Sequence, residues 1–307
     1  MAERRYGRRP PKQAPALHFG TIRRAVQLPY PDSCDSTADL DDWQMLWNDS
    51  WGDCVVVTWA SIRRIVTALY ATEHYTTDEA SILALYRTQN PGFDPNSRSH
   101  GPGSDDDAGM DIQTLLEYLV KHGGPDGVKA LAFAKVNHAD EDEVKAALAI
   151  FKTLWLGVTV TGDDEDEFPS QPWTRTGQVL GGHSITGTGY NPDVYLMQTW
   201  ADEGQLSKDY VLNGSQRAGV EEAWVVIWPE HGAHLDADQR KALDDQFYAL
   251  TGRHIDWTDV PSPTPPPTPD PTPDPENVPE EVLEWLENAV PRYYRRVWLA
   301  LKEWLGL

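Results

Sequence analysis

Cysteine is nearly absent from this chain: Cys34 and Cys54 are the only two in 307 residues. Two cysteines exclude a disulfide framework. A single bridge between them remains open, and it would silence both thiols. Positive charge is scarce as well. The 26 Lys and Arg face 48 Asp and Glu, for a formal net charge of −22. Such a balance argues against non-specific nucleic-acid binding by the body of the protein and otherwise reads as solubility. No run reaches the ~18–20 uninterrupted apolar residues of a membrane-spanning helix. Arg4, Arg5, Arg8 and Arg9 have no apolar core behind them, so no secretory signal peptide is visible. The expectation is a protein made, and folded, in the cytoplasm.

Cofactor motifs are missing too. There is no phosphate-binding glycine loop and no Gly-x-Ser-x-Gly elbow. The acidic runs Asp105–Asp107 and Asp163–Glu167 do not fit a calcium loop and read as solvated loops. His231 and His234 have no cysteine or carboxylate at ligand spacing, and read as loop histidines rather than zinc ligands. Neither a cofactor nor a metal is expected.

What is present is enough apolar surface for a core, with 40% hydrophobic residues and 13 Trp. Composition divides the chain into a basic extended arm (1–35), a folded domain (36–255), a Pro/Thr/Asp-rich linker (256–278) and an amphipathic C-terminal segment (279–307). Within the domain, Val55, Trp59, Ile62, Val66 and Leu69 recur at helical spacing, so a helix starts at or just after Cys54. A second is expected over 78–88 behind Thr77 as cap, and a third from Asp111 to the stop at Gly123-Gly124. Residues 128–136 alternate like a strand and 139–151 read as a helix. Strands are then expected over 153–161, 183–190, 194–199 and 221–228, and a final helix over about 235–250 capped by Asp236. Helices first and an antiparallel sheet second is an α+β layout.

Cys54 and His183 carry the chemistry. Cys54 closes Asn48-Asp49-Ser50-Trp51-Gly52-Asp53-Cys54 just ahead of the first helix, where the positive end of the helix dipole lowers a thiol pKa. His183 opens a strand 129 residues later, in Gly181-Gly182-His183-Ser184-Ile185. A thiol and a distant imidazole are the parts of an activated nucleophile. Gln198, followed by Thr199-Trp200, is the candidate to orient the ring. Asn48, six residues before Cys54, is the candidate side-chain amide for an oxyanion hole shared with the Cys54 N–H. Cys34, in Asp32-Ser33-Cys34-Asp35, reads as a bystander.

In this order the residues resemble the papain-like cysteine peptidases, which present an amide, then Cys on a helix, His in a strand, and Asn before Ser-Trp. Met197-Gln198-Thr199-Trp200 resembles the Asn-Ser-Trp strand, and Gly187-Thr188-Gly189-Tyr190 the glycine-tyrosine end of the histidine strand. The chain departs from that pattern at Gln198, one methylene longer than Asn, and at Asn48, one methylene shorter than Gln. The Trp43-Gln44-Met45-Leu46-Trp47-Asn48-Asp49 block, with the Gly-Asp-Cys, Gly-Gly-His and Thr-Trp blocks over about residues 40–250, is also similar to papain-like proteins of actinobacterial phages and prophages. The resemblance implies a papain-like fold, with a helical half that carries the Cys helix packed on an antiparallel sheet half. It also implies a phage-encoded cysteine peptidase or amidase acting on protein or peptidoglycan peptides through a thioester. The alternative is a virion structural or accessory protein with an inactive papain-like domain, tethered by its C-terminal helix.

That C-terminal helix is expected after Pro291, with Tyr294, Val297, Trp298, Leu301, Trp304 and Leu305 on one face and Arg292, Arg295, Arg296 and Lys302 on the other. Docking on a partner protein or a second copy is the leading expectation for it, ahead of a membrane surface.

Overall fold

The computed structural model describes residues 4–12, 16–20, 30–38, 40–71, 74–97, 106–235, 237–251 and 254–257. The expected linker beyond Trp257, the C-terminal helix and the Asp236 cap lie outside the described residues.

In chain order the elements are β1 (Leu17–His18), β2 (Cys34–Asp35), α1 (Cys54–Tyr70), α2 (Glu79–Tyr86), α3 (Ile112–His122), β3 (Ala132–Val136), α4 (Glu141–Phe151), β4 (Leu154–Thr161), α5 (Gly162–Glu167), β5 (Val179–Tyr190), β6 (Val194–Thr199), β7 (Asp202–Ser207), α6 (Lys208–Leu212), β8 (Gly219–Ile227), α7 (Pro229–His234) and α8 (Ala237–Thr251). The strands form one sheet in the order β1-β3-β8-β4-β5-β6-β7, with β2 paired to β5. All its pairs are antiparallel except the short β1–β3 contact. The expected α+β layout, helices first and sheet second, is the observed one.

The sheet separates two cores. One holds α1, α2 and α3 against Trp155, Trp224, Val226 and Trp228. The other packs α4, α6 and α8 against Leu154, Leu156, Val158, Val160, Val225 and Ile227. Strand β4 is therefore covered on both faces, and its whole apolar run is buried. Helix α1 is the central element of the first core: every residue from Cys54 to Thr67 is buried. Its opening Val55-Val56-Val57 has low intrinsic helix propensity, so burial of the whole cylinder, not local preference, holds it helical.

Several local features differ from the expectation. Helix α2 is capped by Asp78, whose carboxylate accepts the Ser81 N–H at 2.7 Å, rather than by Thr77. Strand β3 starts at Ala132, because Gly124–Val128 turns back on itself through the Gly127 N–H to Gly124 O bond. The acidic run 163–167 is not a solvated loop. It forms the short helix α5, where buried Asp164 accepts the Thr161 N–H (3.0 Å) and hydroxyl (2.7 Å) and the Thr174 N–H (3.0 Å). Asp107 is also buried, accepting from Gly52 N–H and Tyr86 O–H and pairing with Arg5. His231 is a buried part of α7 rather than a loop histidine: Nδ1 accepts the Trp228 N–H and Nε2 bonds the Phe151 carbonyl. Strand β7 and helix α6 were not foreseen, since their polar sequences show little periodicity.

Arg63, on α1, is fully buried. Its guanidinium pairs with Asp126 and Glu230 at 2.6 Å each and lies over the Trp228 ring, 4.4 Å from the centroid. Removing one partner of a buried ion cluster strands the others. Arg63→Ala is therefore expected to destabilise the domain by about 3–5 kcal/mol, measured by urea unfolding against the parent chain.

Candidate active site

Cys54 is the first residue of α1. Asp53 before it is non-helical (φ −96°) and takes the first helical bonds on its carbonyl, from Val56 and Val57. A chain of three hydroxyl and indole contacts, one of which crosses from α1 to the sheet, fastens this end of the helix. Thr58 donates its hydroxyl to the Cys54 carbonyl (2.8 Å), Ser184 and Thr58 hydroxyls meet at 2.9 Å, and Trp155 Nε1 donates to Ser184 Oγ at 2.9 Å. Ser184 is the residue after His183, so its contact with Thr58 ties the helix that opens with Cys54 to the strand that carries the histidine.

The His183 ring is held on two sides. Trp200 stacks on it at 4.6 Å between centroids and 24° between planes. Nε2 bonds the Thr199 hydroxyl at 2.8 Å, which leaves Nδ1 buried without a hydrogen-bond partner among the described residues. The ring contact is made by Thr199, not by the expected Gln198. The sheet register supplies the reason. Gln198 stands opposite Thr186, and cross-strand partners share a face. His183 is an odd number of residues from Thr186 and belongs to the other face, which β6 serves with Thr199. Gln198 is buried and makes no hydrogen bond to His183. The hydroxyl beside Gln198 was the available clue, and only strand pairing could have selected it.

Trp200 reaches the ring through a strained hairpin. Thr199 pairs with Asp202, and the two intervening residues, Trp200 and Ala201, have φ of 47° and 57°. This is the left-handed geometry that tight hairpins normally give to Asn-Gly. Asn48 lies in another unusual stretch, after Leu46 (φ 50°) and Trp47 (φ 69°). Trp47 stacks on Trp51 at 4.7 Å, and Asn48 is buried with its side-chain oxygen unpaired among the described residues. Cys34 is half-buried on β2, and both cysteines are free thiols.

The arm is part of the site. Residues 4–9 run between the two walls. The Gly7 carbonyl accepts the Met110 N–H (2.7 Å), Arg9 N–H donates to the Met110 carbonyl (2.8 Å), and Arg8 N–H donates to the Gly182 carbonyl (2.9 Å). Gly7 packs closely against Gly52, two residues before Cys54, Tyr6 meets the His183 ring edge-on at 6.0 Å, and Arg4 lies over Trp200 at 4.1 Å. Cys54 and His183 are consequently both fully buried. Burial pushes the thiol up to about 12, against the pull of the Gly7 and Ser184 backbones. Burial, with Arg4 and Arg8 nearby, pushes the imidazole down to about 3. In this form both groups are neutral.

Among solved structures, the chain resembles Xylellain, a cysteine protease from Xylella fastidiosa, with a TM-score of 0.54 at 15% identity over 73% of this chain and 96% of that one. The chain has a papain-like cysteine-protease fold. Two further similar structures are the Carica candamarcensis protease CMS1MS2 in complex with E-64 (TM-score 0.43, 15% identity, 64% and 98% covered) and digestive procathepsin L 3 of the Tenebrio molitor larval midgut (0.46, 12%, 73% and 76%). No family model matches the sequence, and no curated protein does.

Two predictions follow from the covered papain-like site. A Cβ on Gly7 would lie 2.0 Å from the Gly52 carbonyl oxygen, so Gly7→Val is expected to displace the arm without altering either wall. Iodoacetamide labelling of Cys54, read by mass spectrometry, should then be at least tenfold faster than in the parent. The second concerns acid. An unfolded histidine titrates near 6.5, whereas His183 in the folded, covered state stays neutral down to about 3. Below pH 6.5 the unfolded chain binds a proton that the folded one refuses. Stability present above pH 6.5 is therefore lost as pH falls towards 3, with a limiting slope of about 1.4 kcal/mol per pH unit. A His183→Gln chain lacks this component, so the stability difference, parent minus variant, should fall between pH 7 and pH 5 in urea unfolding.

Proposed function

We propose that this protein is a cysteine peptidase held in a covered state, with Cys54 as nucleophile and His183 as general base and acid. One observation carries the reading: the buried helix that opens with Cys54 is joined, through Thr58, at 2.9 Å to the hydroxyl of Ser184, the residue that follows a histidine whose ring is fixed by Thr199 and Trp200. With the arm displaced, solvent and the helix dipole favour thiolate and imidazolium over the neutral pair.

The reaction follows from these groups. The Cys54 thiolate attacks the scissile carbonyl carbon, forming a C–S bond and an oxyanion. Asn48 and the Cys54 N–H are the oxyanion donors in this proposal. Collapse breaks the C–N bond, and His183 gives its proton to the leaving amine. Water, deprotonated by His183, then attacks the thioester, releasing the acid and restoring the thiol. Thr199 orients the ring, and Gln198 supports the strand that carries Thr199. The resemblance to phage proteins makes virion proteins or peptidoglycan peptides the proposed substrates, and the C-terminal helix a proposed dock on a partner protein or second copy.

A second reading, a non-catalytic accessory domain, draws on one observation: the ring is held by a hydroxyl rather than by a side-chain amide. The two are separated in the Gly7→Val chain. The enzyme reading expects Cys54 labelling by iodoacetamide at pH 6, at least tenfold slower with His183→Ala. It also expects cleavage of unfolded polypeptides that Cys54→Ala abolishes. Labelling that rises only above pH 8 and is indifferent to His183 would support the accessory domain instead.

A further inference from the structure

Among residues 4–9, Arg8 carries the most deeply buried side chain. Its backbone N–H is fixed to Gly182, beside His183, and its side chain enters a pocket next to the catalytic pair. There Nη2 meets Glu221 Oε1 at 2.5 Å and the Val158 carbonyl at 3.3 Å, and Nη1 meets Glu222 Oε1 at 3.2 Å.

Two neighbours on a strand normally point to opposite faces. Here Gly157 pairs with Glu222 and Val158 with Val220, so Glu221 is the extra residue of a β-bulge, and both carboxylates reach one guanidinium. The stem of the side chain passes Gly157, where a Cβ would lie 2.8 Å from Arg8 Cδ and 2.6 Å from Glu222 Cγ. The carboxylates are themselves anchored. Trp224 Nε1 donates to Glu222 Oε2 at 2.9 Å, and the Thr159 hydroxyl donates to Glu221. Three acceptors spread over two nitrogens suit a planar guanidinium better than the point charge of an ammonium.

We propose that the pocket of Glu221, Glu222 and the Val158 carbonyl is the subsite that selects an arginine side chain of a polypeptide substrate, with Arg8 as the occupant that substrate displaces. This rests on the reading of Cys54 and His183 as a peptidase pair, and deepens it. Two buried carboxylates without a cation are costly, so the pocket requires a cationic occupant, from the arm or from a substrate. Arg8 fills it incompletely: its buried Nε has no hydrogen-bond partner among the described residues. An unmade buried bond costs about 1–3 kcal/mol, which favours exchange. The pocket chooses arginine-bearing proteins over peptidoglycan peptides.

The test uses the full chain carrying Gly7→Val and Arg8→Ala, which empties groove and pocket together. The probe is acetyl-Tyr-Gly-Arg-Arg-Pro-amide, compared with the same peptide carrying citrulline, the neutral isostere of arginine, or lysine at its third position. The arginine peptide should protect Cys54 from iodoacetamide at a concentration at least tenfold below that of either analogue. Adding Glu221→Gln and Glu222→Gln should erase the difference. Digestion of an unfolded protein mixture by the same G7V/R8A chain should give cuts enriched for arginine at one fixed position. Equal protection by arginine and citrulline, or cleavage without arginine enrichment, overturns the pocket while the peptidase stands. Arginine-specific protection with no cleavage of any polypeptide fails the peptidase, and overturns the substrate assignment by reducing the pocket to an anchor for the arm. Should G7V/R8A prove unfolded by circular dichroism, Glu222→Gln alone reads the same contact. Loosening Arg8 should then raise Cys54 labelling at least tenfold, and an unchanged rate overturns the proposal.

Discussion

The Ser184 hydroxyl is the joint on which the site depends. It accepts the Trp155 indole N–H from β4 and meets the Thr58 hydroxyl of α1, which in turn bonds the Cys54 carbonyl. Helix, central strand and histidine strand are thereby locked at hydrogen-bond distance in a dry interior, where an unmade bond is expensive. This joint is a polar contact inside the helix-side core, and it fixes one registry of α1 on β5 where hydrophobic packing alone would tolerate sliding.

Electrostatics sets the state of the site. The same burial that makes the helix rigid also raises the thiol and lowers the imidazole, because a charge in a low-dielectric interior needs compensation. The arm adds to that burial with a glycine against Gly52, a tyrosine against the ring and an arginine between two carboxylates. In the covered state proposed for Cys54 and His183 both groups are neutral, which would leave the pair inert, and the cover is held by contacts that a competing polypeptide could reproduce.

Much of this was legible in the residues. The start of α1 at Cys54 followed from the apolar spacing behind it, and β4, β5 and β6 from their apolar and β-branched runs. The partners of His183 were legible in part. Trp200 stood out as an aromatic, but Gln198 drew attention as an amide when the bonded residue is Thr199. A side chain's face depends on the pairing register, which no single strand reveals. Asp107, Asp164 and His231 looked solvent-facing because charged residues usually are. Each is buried because a specific backbone N–H or hydroxyl, contributed by a turn or a helix end, needed its acceptor.

By itself the sequence determined the order of the longer helices and strands, because periodicity and caps are local properties of neighbouring residues. It also determined which residue types could do thiol chemistry, since few candidates existed. Tertiary structure alone decided that Thr199 bonds the ring, that the arm lies between the walls, and that Glu221 and Glu222 converge on Arg8. Those contacts join residues up to 214 positions apart. They arise from strand register, a bulge and the meeting of two cores, which are relations between segments rather than properties of any one of them.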